Sequence, residues 1–133
     1  MTVLYIGINT VGTTSNMRAS KLKKILPEVR LQIIDTDLPF KQANRLWRSL
    51  AFRYKKGPLI KRINDYITKA TCEDKYDFIW VDKAIYLTPK TTKQLKSQTN
   101  KLIHFTPDTA FLGNRSKLFE KSIKFYDLVV TTK

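Results

Sequence analysis

The segment YIGINTVGTTSNMR, residues 5–18, runs from an apolar strand through a loop with two glycines into a helix. Its strand is predicted over VLYIGI, residues 3–8, a continuous apolar run typical of a strand buried on both faces. The helix is predicted over residues 16–26, with Ser15 or Asn16 as its cap. A strand, loop and helix in this order form the repeating unit of α/β proteins.

The rest of the chain repeats this alternation. Further strands are predicted for RLQIID (30–35), YDFIWVD (76–82), KLIHFT (101–106) and YDLVVTT (126–132). Further helices are predicted for residues 88–97 and 116–125, and for a segment that carries Ile60, Ile63 and Ile67 inward. Since apolar strands alternate with helices, we expect an α/β fold, a Rossmann-like three-layer αβα domain with a mostly parallel sheet of about five strands.

One long helix is predicted from the recurrence of Phe40, Ala43, Trp47, Leu50 and Tyr54, and it ends before Gly57-Pro58. We expect its stripe of Phe40, Trp47 and Tyr54 to belong to the core. Basic residues share the opposite side, namely Lys41, Arg45, Arg48 and Lys55. This side is either a solvated face or a surface for a polyanion, and the small number of interleaved acids favours the polyanion. Stacking on nucleic acid would require aromatic residues on the basic side, so nucleic acid is the less favoured partner.

Composition limits the class of protein. At 133 residues the chain is expected to form one domain, and 25 Lys and Arg against 11 Asp and Glu give a net charge of +14. An excess of this size attracts polyanions such as nucleic acid, anionic lipid or charged glycan. No apolar run reaches the length of a membrane span and the N-terminus lacks a secretory pattern, so the cytoplasm is the expected compartment.

The glycine loop, GINTVGTT at residues 7–14, differs from the known phosphate-binding loops. Thr13 stands where a P-loop has its lysine, and Asn9 stands where a dinucleotide-binding loop has its second glycine. Asp35 ends the second strand, where a dinucleotide fold has a ribose-binding acid, but strand ends favour Asp for turns as well. Two interpretations stay open, an anion site at a helix N-terminus formed by Gly12, Thr13 and Thr14, or a tight turn whose hydroxyls cap the helix.

Four other polar residues bear on function. Lys83 follows the third strand, where it could reach an anionic ligand or form a salt bridge with Asp82 or another neighbour. Asp108 follows the fourth strand, where it is either a base for an acceptor hydroxyl or part of an ordinary Pro-Asp turn. His104 is expected to be packed in its strand, and Cys72 has no predicted partner base. One Cys and one His form no metal cluster, so neither a metal nor a cofactor is expected.

The order and style of these segments resemble the N-terminal half of a GT-B glycosyltransferase, most closely the group of spore-maturation CgeB-type proteins. The resemblance runs along nearly the whole chain. It is carried by LYIGINTVGTTSNMR, NRLWRSLAFRYKKGPLIKRINDYI, KYDFIWVDKAIYLTPKTTKQLK and HFTPDTAFLGNRSKLFEKSIKFYDLVVTTK.

The resemblance implies that residues 1–133 form the acceptor-side domain of a larger two-domain enzyme that transfers sugar from a nucleotide-sugar donor to a glycan or lipid-linked acceptor. The domain is expected to be inactive without the donor domain. Gly12, Thr13, Thr14 and Arg18 would lie near the donor diphosphate, and Asp108 would be the catalytic base. Lys41, Arg45, Arg48, Lys55 and Lys83 would face the acceptor or an anionic membrane, which implies peripheral association with its inner face.

Two other interpretations stay open. The first is a separate basic module that binds nucleotide, nucleic acid or another polyanion without catalysis. The second is an NAD-linked enzyme, which would bind its dinucleotide through Asp35.

Overall fold

The computed structural model describes residues 1–83, 85–107 and 115–132. In this part of the chain one parallel sheet contains five strands, in the order β2-β1-β3-β4-β5. The strands are β1 (Thr2–Gly7), β2 (Arg30–Asp35), β3 (Tyr76–Asp82), β4 (Thr99–Thr106) and β5 (Leu128–Thr131). Helices flank this sheet, so the prediction of a Rossmann-like α/β fold is confirmed.

Helices occupy most of the connections between these strands. They are α1 (Thr14–Ile25), α2 (Asp37–Lys41), α3 (Arg45–Tyr54), α4 (Pro58–Thr71), α5 (Pro89–Ser97) and α6 (Lys117–Ser122), followed by a 3₁₀ turn (Ile123–Phe125). Helix α1 begins two residues before its predicted start, because Thr13 caps it in place of Ser15 or Asn16. The Thr13 hydroxyl accepts the Asn16 N–H at 3.2 Å.

The long helix predicted from Phe40 to Tyr54 is wrong, since α2 and α3 are separate helices. Asn44 causes the break, because its side-chain oxygen accepts the Trp47 N–H at 2.9 Å and so caps a new helix. Phe40 packs against the core as predicted. Trp47 and Tyr54 do not, since 37% and 64% of their surfaces are exposed.

The main hydrophobic core lies on one face of the sheet. Leu4, Ile6, Ile79 and Leu102 from the strands belong to it. From the helices it receives Ile63 and Ile67 of α4, Leu95 of α5 and Phe119 of α6. Ile60, Ile63 and Ile67 are all buried, as predicted.

Helix α1 packs against β1 on the opposite face of the sheet. The hydroxyl oxygen of Tyr5 on β1 contacts Ser15 of α1 and lies 2.9 Å from its backbone oxygen. Across the strands, register pairs Tyr5 with Trp80 of β3, Trp80 with Ile103 of β4, and Ile103 with Leu128 of β5. Paired residues in neighbouring strands point to the same side, so these side chains share the α1 face.

His104 is packed in the core, as predicted, with 1% of its surface exposed. Its ring lies 4.3 Å from the ring of Phe119, centroid to centroid. Burial lowers the pKa of His104 to about 4, so the imidazole is neutral at pH 7. No helix in the described ranges has the length and apolar character needed to cross a membrane.

Candidate functional site

The strand order reverses direction between β1 and β3. The chain passes from β1 outward to β2, returns across β1 to β3, and then continues to β4 and β5 on the other side. The loops that follow β1 and β3 therefore diverge, and they leave a crevice at the carboxyl ends of these strands. This reversal is the place where open α/β sheets bind their ligands.

A cavity of about 390 Å³ occupies this crevice. The loop after β1 and the start of α1 contribute Ile8, Thr13, Thr14 and Ser15, and the end of β2 contributes Thr36 and Asp37. The loop after β3 contributes Lys83, Ile85 and Tyr86 next to Asp82 at the end of β3, and two rings come from Phe40 and Phe52. The volume lies at the lower end of the range for small-molecule sites, so it suits one small ring or a single building block of a larger ligand.

One wall of the cavity is aromatic. The rings of Phe40 and Tyr86 are stacked with their centroids 5.9 Å apart. The Lys55 ammonium lies 5.0 Å from the centre of the Phe52 ring and 5.7 Å from that of Tyr86. Burial, with a smaller effect of Asp37, raises the pKa of Tyr86 to about 12, so its phenol keeps its proton and can donate a hydrogen bond. Burial lowers the pKa of Lys55.

Another part of the cavity lining is polar, and hydrogen bonds tie it together. Asp37 accepts from the Thr10 hydroxyl at 3.1 Å and pairs with the Lys41 ammonium at 2.9 Å. Lys41 also donates to the Thr10 hydroxyl at 2.6 Å. The Asp35 carboxylate accepts the backbone N–H groups of Asn9 at 3.0 Å and Asp37 at 2.9 Å. These contacts hold the loops after β1 and β2 at a fixed spacing. Asp35 accepts backbone N–H groups of both loops and so stabilises the turns.

The glycine loop contributes Thr13 and Thr14 to the cavity, but Gly12 is not part of its lining. Gly12 has a φ of +86°, and a Cβ at this position would meet nothing within 4 Å. Backbone conformation therefore explains the glycine without any close approach of a ligand. The Thr13 hydroxyl donates to the Thr10 carbonyl at 2.7 Å while it caps α1. Thr13 therefore caps α1, as the second interpretation predicted, and anion binding by this loop stays a prediction.

A buried ion pair lies next to the cavity. The Arg18 guanidinium donates three hydrogen bonds to the Asp82 carboxylate at 2.9–3.1 Å. The Tyr5 hydroxyl donates to the same carboxylate at 2.5 Å. The Asp82 side chain is fully buried, so Arg18 neutralises a charge that would otherwise be uncompensated. Arg18 does not line the cavity, and its guanidinium lies 4.8 Å from the centre of the Phe105 ring.

The other predicted basic residues separate into two groups. Lys41 and Lys55 stand beside the cavity through their contacts with Asp37 and Phe52, and Lys83 lines it. Lys83 has a left-handed backbone with a φ of +57°, and its N–H donates to the Phe105 carbonyl at 2.9 Å. Arg45 and Arg48 are exposed on α3 and do not line the cavity.

Helix α3 exposes apolar and basic side chains together. Leu46 is 71% exposed, and Trp47 and Tyr54 are exposed as well. Arg45, Arg48 and Arg53 are exposed on the same helix, whose only buried residue is Ala51. Trp47 and Tyr54, which the sequence assigned to the core, are therefore available on this basic surface.

Some site residues were missed by sequence reasoning, and one predicted residue cannot be assessed. Thr36, Phe52 and Tyr86 line the cavity but belong to no recognised sequence motif. Thr36 and Tyr86 follow the ends of β2 and β3, and this position is the signal that could have indicated them. Asp108 lies outside the described residues. Cys72 is exposed at the end of α4. Among the described residues, no three His, Cys, Asp or Glu side chains converge as a metal site would require.

No protein-family model matches the chain, and no curated protein is significantly similar to it. The likeness to CgeB-type glycosyltransferases stays a prediction.

Proposed function

We propose that this chain is the acceptor-side domain of a glycosyltransferase, and that the cavity between β1 and β3 binds one sugar residue of a glycan or lipid-linked acceptor. The observation that carries the proposal is the composition of the two walls at the switch point. Phe40, Phe52 and Tyr86 offer an apolar wall, while Thr13 and Asp37 lie on the polar side. A sugar ring has an apolar face of C–H groups and an edge of hydroxyls, so it matches both walls.

The hydrogen-bonding chemistry of the cavity supports a neutral, hydroxyl-rich ligand. The Asp37 carboxylate can only accept, and Lys41 neutralises its charge without occupying all of its acceptor positions. The Tyr86 phenol is protonated at neutral pH, and burial raises its pKa still further, to about 12. Together they offer one acceptor and one donor to hydroxyl groups of a bound sugar.

Transfer of sugar requires a donor site as well, and by the resemblance this belongs to a second domain. We therefore expect the 133-residue chain to bind acceptor without catalysing transfer. The intact mass of the polypeptide in its own cell tests this part of the proposal. A mass above about twice that of 133 residues fits a two-domain enzyme, since single domains commonly have ~100–200 residues. A mass equal to that of these residues removes the enzyme interpretation.

A second candidate function, a module that binds polyanions, is favoured by α3. Exposed Trp47 and Tyr54 next to Arg45, Arg48 and Arg53 combine stacking surfaces with positive charge, as single-stranded nucleic acid binding requires. The same combination suits the interface of an anionic membrane. The net charge of +14 supports either ligand without choosing between them.

Saturation-transfer NMR with a panel of mono- and oligosaccharides distinguishes the two functions. Phe52→Ala removes one ring of the aromatic wall, and Phe52 is 61% exposed, so the fold should tolerate the change. Leu46→Ala is the matched control, because Leu46 is exposed on the same helix but outside the cavity. We expect a sugar whose affinity falls about tenfold in the first variant, equivalent to the loss of ~1.4 kcal/mol of binding, and stays unchanged in the second.

Two results would reject the glycosyltransferase proposal. One is the absence of any saccharide that Phe52→Ala weakens selectively. The other is salt-dependent binding of single-stranded RNA or anionic vesicles that Phe52→Ala leaves intact and an Arg45→Gln/Arg48→Gln variant abolishes, with no saccharide bound.

A further inference from the structure

The two faces of the sheet are covered unequally. The face that holds the main core packs against α4, α5 and α6. On the opposite face, the described residues supply α1, which packs against β1. Parallel sheets are normally covered by helices on both faces. The part of this face formed by β3, β4 and β5 is therefore the less protected half of the sheet.

An apolar patch marks this open part, and we call it the open face. Phe78 and Trp80 of β3, Ile103 and Phe105 of β4, and Val130 of β5 point to it, and each is only partly buried. Leu128 of β5 is 46% exposed at its edge. None of these six residues belongs to the main core cluster, which lies on the other side of the sheet. The patch is contiguous, because register sets Trp80 beside Ile103 and Ile103 beside Leu128.

Helix α1 extends the patch on its inner border. Arg18 reaches from α1 over the Phe105 ring, so this side of the helix faces the open strands. Ile25 follows Arg18 by seven residues, about two helical turns, and so lies on the same side. Its surface is 72% exposed. A large aliphatic residue in this position continues the apolar surface of the strands.

The dimensions of the open face suit one helix. Neighbouring strands lie about 4.8 Å apart, so the three strands β3, β4 and β5 span about 10 Å between their outer axes. A helix with its side chains is about 10–12 Å across, so one helix lying along the strands would cover this width.

Among the described residues, lysines border the open face. Lys21 lies one turn beyond Arg18 on α1, and Lys101 is paired in register with Phe78 and so points to the same face. Both are exposed. The acid that points to this face, Asp82, is fully buried and already paired with Arg18. A partner with acidic flanks would therefore meet complementary charge. A second copy of this chain also carries a net charge of +14, so the two copies would repel each other.

We infer that the open face is the docking site for an amphipathic α-helix of a partner protein, whose apolar stripe packs on Trp80, Ile103 and Leu128 and whose flanks carry Asp or Glu toward Lys21 and Lys101. Apolar burial supplies the attraction, and the basic border selects acidic helices over basic ones. This inference is independent of the cavity between β1 and β3 and of the proposed glycosyltransferase function.

The test is a selection from a displayed library of 20-residue amphipathic helices, with flanking positions varied among Glu, Gln and Lys, against the folded chain. Ile25→Gln/Leu128→Gln is the test variant, since it removes apolar surface from the open face without changing charge. Leu46→Gln, equally exposed on α3, is the control. Trp80 fluorescence in a Trp47→Phe background reports binding at the open face directly.

We expect enriched helices with Glu flanks that lose at least tenfold in affinity on the Ile25→Gln/Leu128→Gln variant and none on Leu46→Gln. Lys21→Gln/Lys101→Gln should weaken the Glu-flanked helices and leave Gln-flanked helices unchanged. Failure to enrich any helix that distinguishes the variants would overturn the inference. So would a dimer in analytical ultracentrifugation, or binding to anionic vesicles, that the Ile25→Gln/Leu128→Gln change abolishes.

Discussion

The ion pair between Arg18 and Asp82 gives the sharpest stability prediction. Arg18→Met keeps much of the aliphatic length of the side chain but leaves the Asp82 carboxylate with the Tyr5 hydroxyl as its remaining side-chain donor among the described residues. Asp82 is fully buried, while the Arg18 side chain is 24% exposed. Removing one partner of a buried pair typically lowers the free energy of unfolding by about 3–5 kcal/mol. Because Arg18 is partly exposed, we expect a loss at the lower end of this range, about 3 kcal/mol.

A double-mutant cycle in urea at pH 7 measures this pair. Asp82→Asn should cost less, about 1–2 kcal/mol, because Arg18 is partly exposed and can turn toward water. Arg18→Met/Asp82→Asn should recover about 2 kcal/mol relative to the sum of the single changes. Lys24→Met, exposed on the same helix, is the control and should stay within about 0.5 kcal/mol of the parent. Additive single changes, or a loss below about 1 kcal/mol for Arg18→Met, would refute this account of the pair.

Three further changes test other parts of the fold. The pKa of His104 is about 4 in the folded chain against about 6.5 when unfolded, so only the unfolded state gains a proton as pH falls through this window. Urea unfolding should therefore show a loss of about 2 kcal/mol between pH 7 and pH 5 that His104→Gln removes, and an unchanged slope in that variant would contradict the assignment. Asn44→Ala should lower stability by about 1 kcal/mol in the same assay, since it removes the cap of α3, and no loss would mean that the cap is not needed. Gly57→Ala should destabilise more than Gly12→Ala, because both have positive φ but a Cβ at Gly57 would come within 2.8 Å of Leu50; equal losses would show that backbone strain alone decides.

Local sequence patterns were sufficient to predict the sheet. Residues 30–35 and 76–82 match β2 and β3, and the segments at residues 3–8 and 101–106 match β1 and β4 within two residues at each end. Each of these strands contains β-branched or aromatic apolar residues, and this local signal does not depend on which strand is the neighbour. The predicted helix ends were less accurate, as at the start of α1, where Thr13 is the cap. Several neighbouring hydroxyl or amide side chains could cap this helix, so the sequence does not identify the one that does.

The candidate site could be predicted only in part, because its contacts join residues that are distant in sequence. The switch-point location follows from strand order, which local pattern does not contain. Arg18 and Asp82 are 64 residues apart, so their pairing could not be read from either segment. The apolar spacing of Trp47 and Tyr54 predicted a buried stripe, but the break at Asn44 turns α3 so that both side chains are exposed.

We propose that the cavity between β1 and β3 binds a sugar of the acceptor. Backbone amide shifts of the labelled chain, titrated with the saccharide that gives the strongest saturation-transfer signal, would locate this binding. We predict saturable shifts that cluster at Thr13, Thr36 and Tyr86 and that require about tenfold more saccharide with Phe52→Ala. Shifts confined to α3, or no saturable shift with any saccharide, would contradict the claim.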